Sequence, residues 1–136
     1  MSKMEQHQLR FRVLAGAYTV TRHAADAPVP DWAAKGEFTS ITRTGEELSI
    51  VCPLENCPAD GGQRKRWACL KLEGPFEFSL TGVLLAFIQP LSENNIPIFA
   101  VSTYDTDYVL IPEECKGQAI ALLQKAGHVC QQQPVR

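Results

Sequence analysis

Alternating apolar and polar residues predict β-strands in the first half of the chain. Leu9, Phe11 and Val13 alternate with Arg10 and Arg12, which is the period of a half-buried strand. Further strands are predicted from Tyr18 and over residues 37–44 and 47–52, the last two joined as a hairpin. Residues 53–63 contain two prolines and two glycines with few apolar residues, so they predict a linker.

The second half of the chain alternates between strand and helix patterns. Strands are predicted over residues 66–73, 96–103, 108–111 and 128–131, and helices over residues 80–93 and 113–126. The order is β-α-β-β-α-β, which is typical of the ferredoxin-like arrangement in the α+β class. We therefore expect two units, one over residues 9–60 that is rich in strands and one over residues 64–133 that holds the βαββαβ module.

The first predicted helix combines a clear start with an internal conflict. Ser79 is a suitable N-cap, and Phe78 before it can pack on Val83 as a hydrophobic staple. Pro90 removes a backbone donor and crowds the carbonyl of Ala86. We expect a kink or a loosened last turn at Pro90, rather than a helix that ends at Gln89.

Composition narrows the class of protein. The chain has 136 residues, of which 45% are hydrophobic and 21% charged, with a formal net charge of −2. Such a balance is ordinary for a globular protein and argues against a nucleic-acid partner. The isolated basic run from Arg64 to Arg66 is interpreted as a solvated linker. Five scattered cysteines, no secretory signal and no apolar run of about 18 residues predict a cytoplasmic protein without a membrane partner.

Recognisable catalytic motifs are absent from the sequence, so no enzyme activity and no cofactor are expected. Cys52 and Cys57 could contribute to a metal site or supply a nucleophile, but structural thiols are the favoured interpretation. The three histidines do not fall in a catalytic pattern. The sequence therefore predicts neither catalytic nor metal-binding residues.

Two polar segments are candidates for binding a small ligand. Residues 73–82 (EGPFEFSLTG) join a strand to a helix start, where backbone N–H groups can hold a carboxylate. Residues 102–107 (STYDTD) place two carboxylates among hydroxyl groups, which can bind an ammonium or guanidinium group. Each segment also has a purely structural interpretation, as a capped helix start and as a hairpin turn, respectively.

The stretch from Gly74 to Glu114 resembles ACT domains, the modules that sense amino acids. The matching features are Gly82 near the helix start, the Pro90-Leu91 step, the Asn95-Ile96 entry to the next strand, and Ser102-Thr103-Tyr104 with Asp107. It is most similar to the small tandem ACT-repeat proteins related to CASTOR-type cytosolic arginine sensors. The segment GEFTSITRTGEELSIVCP resembles the region that precedes the ACT module in that group.

The resemblance implies a ligand site and an assembly. Residues 9–60 would be a degenerate ACT-like unit, and the protein would be a homodimer with its ligand at an ACT–ACT interface. The implied ligand-binding residues are Phe78, Ser79, Leu80, Thr81, Gly82, Thr103, Tyr104, Asp105, Thr106 and Asp107. Leu80 stands where the arginine sensors have an acidic group, so the resemblance leaves the ligand's identity open.

Two functions follow as expectations. The first is a non-catalytic regulatory protein that binds an amino acid or a related small metabolite. The alternative is a protein-interaction subunit that pairs through its ACT sheet and binds no small ligand.

Overall fold

The fold of a computed structural model is mixed α+β, as the sequence predicts. The structure describes residues 8–58, 64–73 and 82–131, and these ranges hold eight strands and two α-helices. The strands are β1 Arg10–Val13, β2 Tyr18–His23, β3 Ser40–Arg43, β4 Leu48–Pro53, β5 Trp67–Leu72, β6 Phe99–Ser102, β7 Asp107–Pro112 and β8 Val129–Cys130. The α-helices are α1 Val83–Ser92 and α2 Lys116–Lys125.

The chain divides into two compact units. Met1–Leu14 and Ala68–Arg136 form one, here called the helical unit, and Ala15–Trp67 form the other, here called the strand unit. None of the helices in the described ranges is long and apolar enough to cross a membrane.

The helical unit contains the predicted order β5-α1-β6-β7-α2-β8, with β1 as an additional strand. Its sheet runs β8-β1-β5-β7-β6, with β1 antiparallel to β5 and parallel to β8. Residues 9–14, which the sequence pattern predicts in the first unit, belong to the helical unit in the structure. An alternating pattern identifies a strand and its buried face, but it does not identify the neighbouring strand.

The core of the helical unit lies between the two helices and one face of the sheet. Phe11 on β1 and Phe87 on α1 are fully buried, and their rings meet edge to face with centroids 5.3 Å apart. Residues from β5, β7 and α2 complete the cluster, among them Leu70, Leu72, Val109, Ile111, Ala119 and Leu123. The N-terminal strand is thus part of this core.

Helix α1 continues past Pro90 to Ser92, as the sequence predicts. Pro90 has no N–H to donate to the carbonyl of Ala86, four residues earlier. The Nε2 atom of buried His128 lies 3.1 Å from that carbonyl oxygen, while its Nδ1 atom accepts the N–H of Leu9 at 3.1 Å. Because Nδ1 accepts, Nε2 carries the proton and the imidazole is neutral in this arrangement. One side chain thus satisfies two backbone groups, one before β1 and one in α1.

The start of α1 differs from the prediction. Gly82 occupies the N-cap position with φ 81°, and the helix begins at Val83. The prediction that Ser79 caps this helix is therefore wrong, and Ser79 itself lies outside the described residues. The end of α2 agrees with the prediction, because Gly127 follows it with φ 102°.

The strand unit is built on a three-stranded antiparallel arrangement in the order β3-β4-β2. The predicted hairpin is confirmed, with Arg43 opposite Leu48 and the Thr44 N–H donating to Glu47 O at 2.9 Å. A small core joins β4 to a 3-10 helix at Asp31–Ala34; its buried residues are Ala33, Leu48, Ile50, Cys52 and Cys57. Within the predicted linker, Leu54–Asn56 form another 3-10 helix.

Removing the His128 side chain should expose its structural role. We expect His128→Ala to lower the free energy of unfolding by about 2 to 4 kcal/mol, because two buried backbone groups lose their partners. Pro90→Ala restores an N–H that can bond the Ala86 carbonyl. In a protein that already carries Pro90→Ala, His128→Ala should therefore lower the free energy of unfolding by about 1 kcal/mol less. Urea denaturation of the four variants in this double-mutant cycle measures both effects. Additive losses would show that His128 does not compensate for Pro90.

Candidate functional site

Hydrogen bonds within the turn hold the tip of the β6–β7 hairpin. Ser102 lies opposite Asp107 at the end of the paired strands. The Thr103 N–H donates to Thr106 O at 2.8 Å, and the Thr103 hydroxyl donates to the same oxygen at 3.0 Å. The hydrogen bonds expected of a purely structural hairpin turn are therefore present, and one of them uses the Thr103 hydroxyl.

Thr106 fastens this tip to the neighbouring strand. It is buried, and its hydroxyl donates to the carbonyl of Leu72, the last residue of β5, at 2.7 Å. The hairpin tip therefore lies beside the strand end from which the connection to α1 departs. Thr106 is a positioning residue, because its only side-chain donor is already used.

The two carboxylates of the hairpin differ in their surroundings. Asp107 is half-buried and accepts a hydrogen bond from the Ser102 hydroxyl. Asp105 is exposed, and no partner for its carboxylate occurs among the described residues. Tyr104 beside it is 80% exposed. Asp105 is thus the carboxylate of this hairpin that is open to a ligand.

The second predicted segment is described only at its end. Phe78, Ser79, Leu80 and Thr81 lie outside the described residues. Gly82 is the N-cap of α1, and its carbonyl accepts the N–H of Ala86 at 2.9 Å. The N–H groups of residues 83–85 have no carbonyl four residues earlier within the helix, so they are the donors at this helix start. The predicted ligand contacts of Phe78 to Thr81 remain predictions.

A charged cluster at the same strand end was missed by the sequence analysis. Glu73 directly follows β5, and its carboxylate lies 2.9 Å from Nε of Arg12 and 4.0 Å from Nζ of Lys71. Arg12 and Lys71 face each other across β1 and β5. The pairing depends on the insertion of β1 beside β5, which the residue pattern alone did not reveal. Glu73 is neutralised here, so it is less suited than Asp105 to attract a cationic group.

The cysteines show no feature of a reactive or metal-binding group. None of the five, all of which lie in described ranges, forms a disulfide. Burial and the neighbouring Cys57 raise the pKa of Cys52 to about 11, although the Arg64 guanidinium opposes this shift. Cys52 is therefore a thiol at neutral pH and a poor nucleophile. In the described part of the chain, no group of three His, Cys, Asp or Glu residues is placed to hold a metal ion.

Replacing Thr106 tests how the hairpin is held. We expect Thr106→Val to lower the free energy of unfolding by about 1 to 2 kcal/mol, because Val keeps the shape but leaves the Leu72 carbonyl unsatisfied. Thr106→Ser retains the hydroxyl and is the matched control. Amide hydrogen exchange should become faster in β6 and β7 of the Val variant only. Equal exchange in both variants would contradict the positioning role.

The raised pKa of Cys52 predicts a pH dependence of stability. The unfolded thiol ionises near pH 9, whereas the folded thiol keeps its proton to about pH 11. The unfolded state therefore loses its proton first, and the free energy of unfolding should fall as pH rises through this window. Between pH 8 and pH 11, the free energy of unfolding of Cys52→Ala, measured by urea denaturation, should fall less steeply than that of the unmodified protein. The other titrating groups are common to both proteins. Parallel curves would contradict the shift.

Comparison with known proteins identifies the module at this site. The ACT domain family model matches residues 63–125, and another model, described only as an N-terminal domain, matches residues 16–60. None of the curated proteins matches the chain. The crystal structure of protein VC0802 from Vibrio cholerae, described as of unknown function and a possible transport protein, is similar in fold, with 20% identity, a TM-score of 0.72, and coverage of 91% of this chain and 92% of that one.

A second solved structure is more similar in sequence. Protein Atu0741 from Agobacterium tumefaciens is 40% identical, with a TM-score of 0.86, and the match covers 95% of this chain and 96% of that chain. Identity at this level over nearly the full length of both chains shows common family membership. The chain therefore belongs to the same family as protein Atu0741, and its residues 63–125 carry an ACT domain.

Proposed function

We propose that this protein is a non-catalytic regulatory protein that binds an amino acid or a related metabolite between the ACT domains of two copies. ACT domains commonly bind small ligands in regulation, and the ACT match includes both polar segments. A cytoplasmic homodimer is part of the proposal.

The observation that carries the proposal is the hydrogen bond from Thr106 to Leu72. It brings the hairpin tip to the end of β5, where the connection to Gly82 and α1 begins. Glu73, the first residue of the other polar segment, follows the strand end that holds the hairpin tip. This supports a site that uses both segments.

The described groups have complementary charges for an amino acid. The exposed Asp105 carboxylate suits the ammonium group, because Asp107 is already engaged by Ser102. The N–H groups at the start of α1 suit the carboxylate. Gly82 places no side chain over these donors. The proposed roles of Phe78 to Thr81 and of Tyr104 are contacts to the remainder of the ligand.

Two observations support a non-catalytic role. Both ring nitrogens of His128 are engaged by backbone groups, so this residue is poorly placed as a general base. The thiol of Cys52 is protonated at neutral pH. Binding alone can regulate if the ligand favours one of two dimer geometries, because it then shifts their populations.

The proposal includes a degenerate ACT-like role for the first part of the chain, by similarity to the tandem-repeat sensors. In the strand unit, the described residues contain β2, β3 and β4 and two 3-10 helices, but no α-helix. This part of the chain would therefore supply sheet surface to the repeat but no helix N-terminus for a ligand.

One observation favours the alternative function. Tyr104 at the hairpin tip is 80% exposed, and aromatic side chains of this kind are common anchors in protein interfaces. A partner protein could cover the tip and leave no room for a metabolite. In that case the ACT sheet would serve protein interaction alone.

A thermal-shift panel of the twenty amino acids separates these functions. A ligand present at a hundredfold excess over its dissociation constant should add about 2.7 kcal/mol to the stability of the protein. Asp105→Asn should abolish most of this gain, because it removes the charge opposite the ammonium group. Glu114→Gln, which also removes one exposed carboxylate, is the matched control. A flat panel for the purified protein, or equal effects of both variants, would contradict the proposed site.

A further inference from the structure

A cleft in the strand unit is lined by residues other than those proposed to bind the amino acid. Its volume is about 610 Å³, within the range typical of small-molecule sites. It is lined by Ala15, Gly16, Ala17, Pro53, Leu54, Glu55, Cys57, Arg64 and Arg66. All these residues belong to the strand unit. The lining combines small apolar surfaces with a few charged groups, as ligand sites commonly do.

Arg64 is held in this cleft by the backbone. Its Nη1 atom donates to the carbonyl of Leu54 at 3.1 Å and also to the carbonyl of Cys57. A guanidinium has five N–H donors in a fixed plane, so two bonds through one nitrogen leave others for a ligand. The side chain is already ordered, which lowers the entropic cost of binding. The sequence analysis interpreted this residue as part of a solvated linker, and the structure corrects that interpretation.

The charge of Arg64 is not neutralised by the described residues. Glu55 lines the same cleft, but no carboxylate in the described part of the chain lies within ion-pair distance of Arg64. The guanidinium is close enough to Cys52 to oppose the rise in the pKa of that thiol. Arg66 is a second positively charged residue among the described residues of the lining. A half-buried cation without a counter-ion favours an anionic ligand.

Another wall of the cleft is made of backbone and small side chains. The Leu54 N–H donates to the carbonyl of Ala17 at 2.8 Å, which fixes the segment next to β2. Gly16 has φ 77°, and a Cβ atom there would meet nothing within 4 Å. The wall is therefore held in place while the space in front of it stays open. This leaves room for more than a bare ion.

From these features we propose that the cleft binds a small organic anion through a carboxylate or phosphate group held by Arg64. The planar guanidinium can donate to either group in a bidentate geometry through its Nε and Nη2 N–H groups, since Nη1 is engaged by the two carbonyls. The apolar lining from Pro53 and Leu54 would contact the ligand's carbon skeleton. This site is independent of the proposed amino-acid site in the ACT domain, so either can fail without the other.

Titration of the full chain with two probes tests the cleft. Succinate represents carboxylates and inorganic phosphate represents phosphates, with succinamide as the uncharged control. With at least one of the two anions, the guanidinium ¹⁵N chemical shifts of Arg64 should follow a saturating, single-site titration curve. Succinamide should cause no such change. Saturation by one anion alone identifies which group the cleft accepts. The absence of saturation below about 10 mM for both anions would overturn the proposal.

Charge variants show whether binding is local. Arg64→Gln should weaken binding at least tenfold, while Lys65→Gln, which removes a neighbouring charge outside the lining, should change it less than about twofold. Glu55→Gln removes the negative charge in the cleft and should tighten binding about two- to threefold. Equal weakening by the Arg64 and Lys65 variants would indicate diffuse attraction and overturn the site.

A variant that fills the cleft tests the site without removing the hydrogen bonds of Arg64. Arg64→Gln removes two bonds to backbone carbonyls and can destabilise the strand unit. Ala15 is exposed and lines the cleft, so Ala15→Leu fills part of the space without altering charge or core. We expect it to weaken binding at least threefold with unchanged urea denaturation. Unchanged affinity in this variant would contradict the location of the site.

Discussion

The helical unit depends on the neutral imidazole of His128. Pro90 gives α1 a carbonyl that the helix cannot satisfy, and Leu9, directly before β1, has an N–H that needs an acceptor. His128 supplies one donor and one acceptor on opposite sides of a single ring, at 3.1 Å in both cases. Its ring also packs on Phe87, with centroids 5.7 Å apart. A residue between α2 and β8 thus joins α1 to the additional strand, and leaving either backbone group unpaired would be costly in this buried position.

Local patterns predicted the elements of this unit well, because each element is encoded by its own periodicity and end signals. The course of α1 past Pro90 and the glycine after α2 are examples. The place of β1 was not predictable in this way, since pairing between residues 11–13 and 70–72 is a long-range property. The start of α1 was misplaced because Ser79 has a good capping side chain, whereas the backbone uses Gly82 in a left-handed conformation.

The candidate site shows a similar limit. The sequence identified the hairpin as a cluster of hydroxyl and carboxyl groups, but it could not indicate which of them the fold consumes. Thr106 is directed to β5, Thr103 closes the turn, and Ser102 engages Asp107. Asp105 remains exposed because it lies at the apex, where no strand neighbour is available. The structural and ligand-binding interpretations of this hairpin are therefore compatible, since different residues satisfy each of them.

Both proposed sites use backbone carbonyls as fixed points. In the hairpin, the Leu72 carbonyl holds Thr106 and thereby positions the turn that carries Asp105. In the cleft, the carbonyls of Leu54 and Cys57 hold Arg64 itself. A hydrogen bond to a backbone carbonyl involves no opposite charge. The Asp105 carboxylate and the Arg64 guanidinium therefore keep their charges while the turn and the side chain are held in place. A charged group that is ordered in advance binds a ligand at lower entropic cost, and the sign of its charge then selects a cationic or an anionic group.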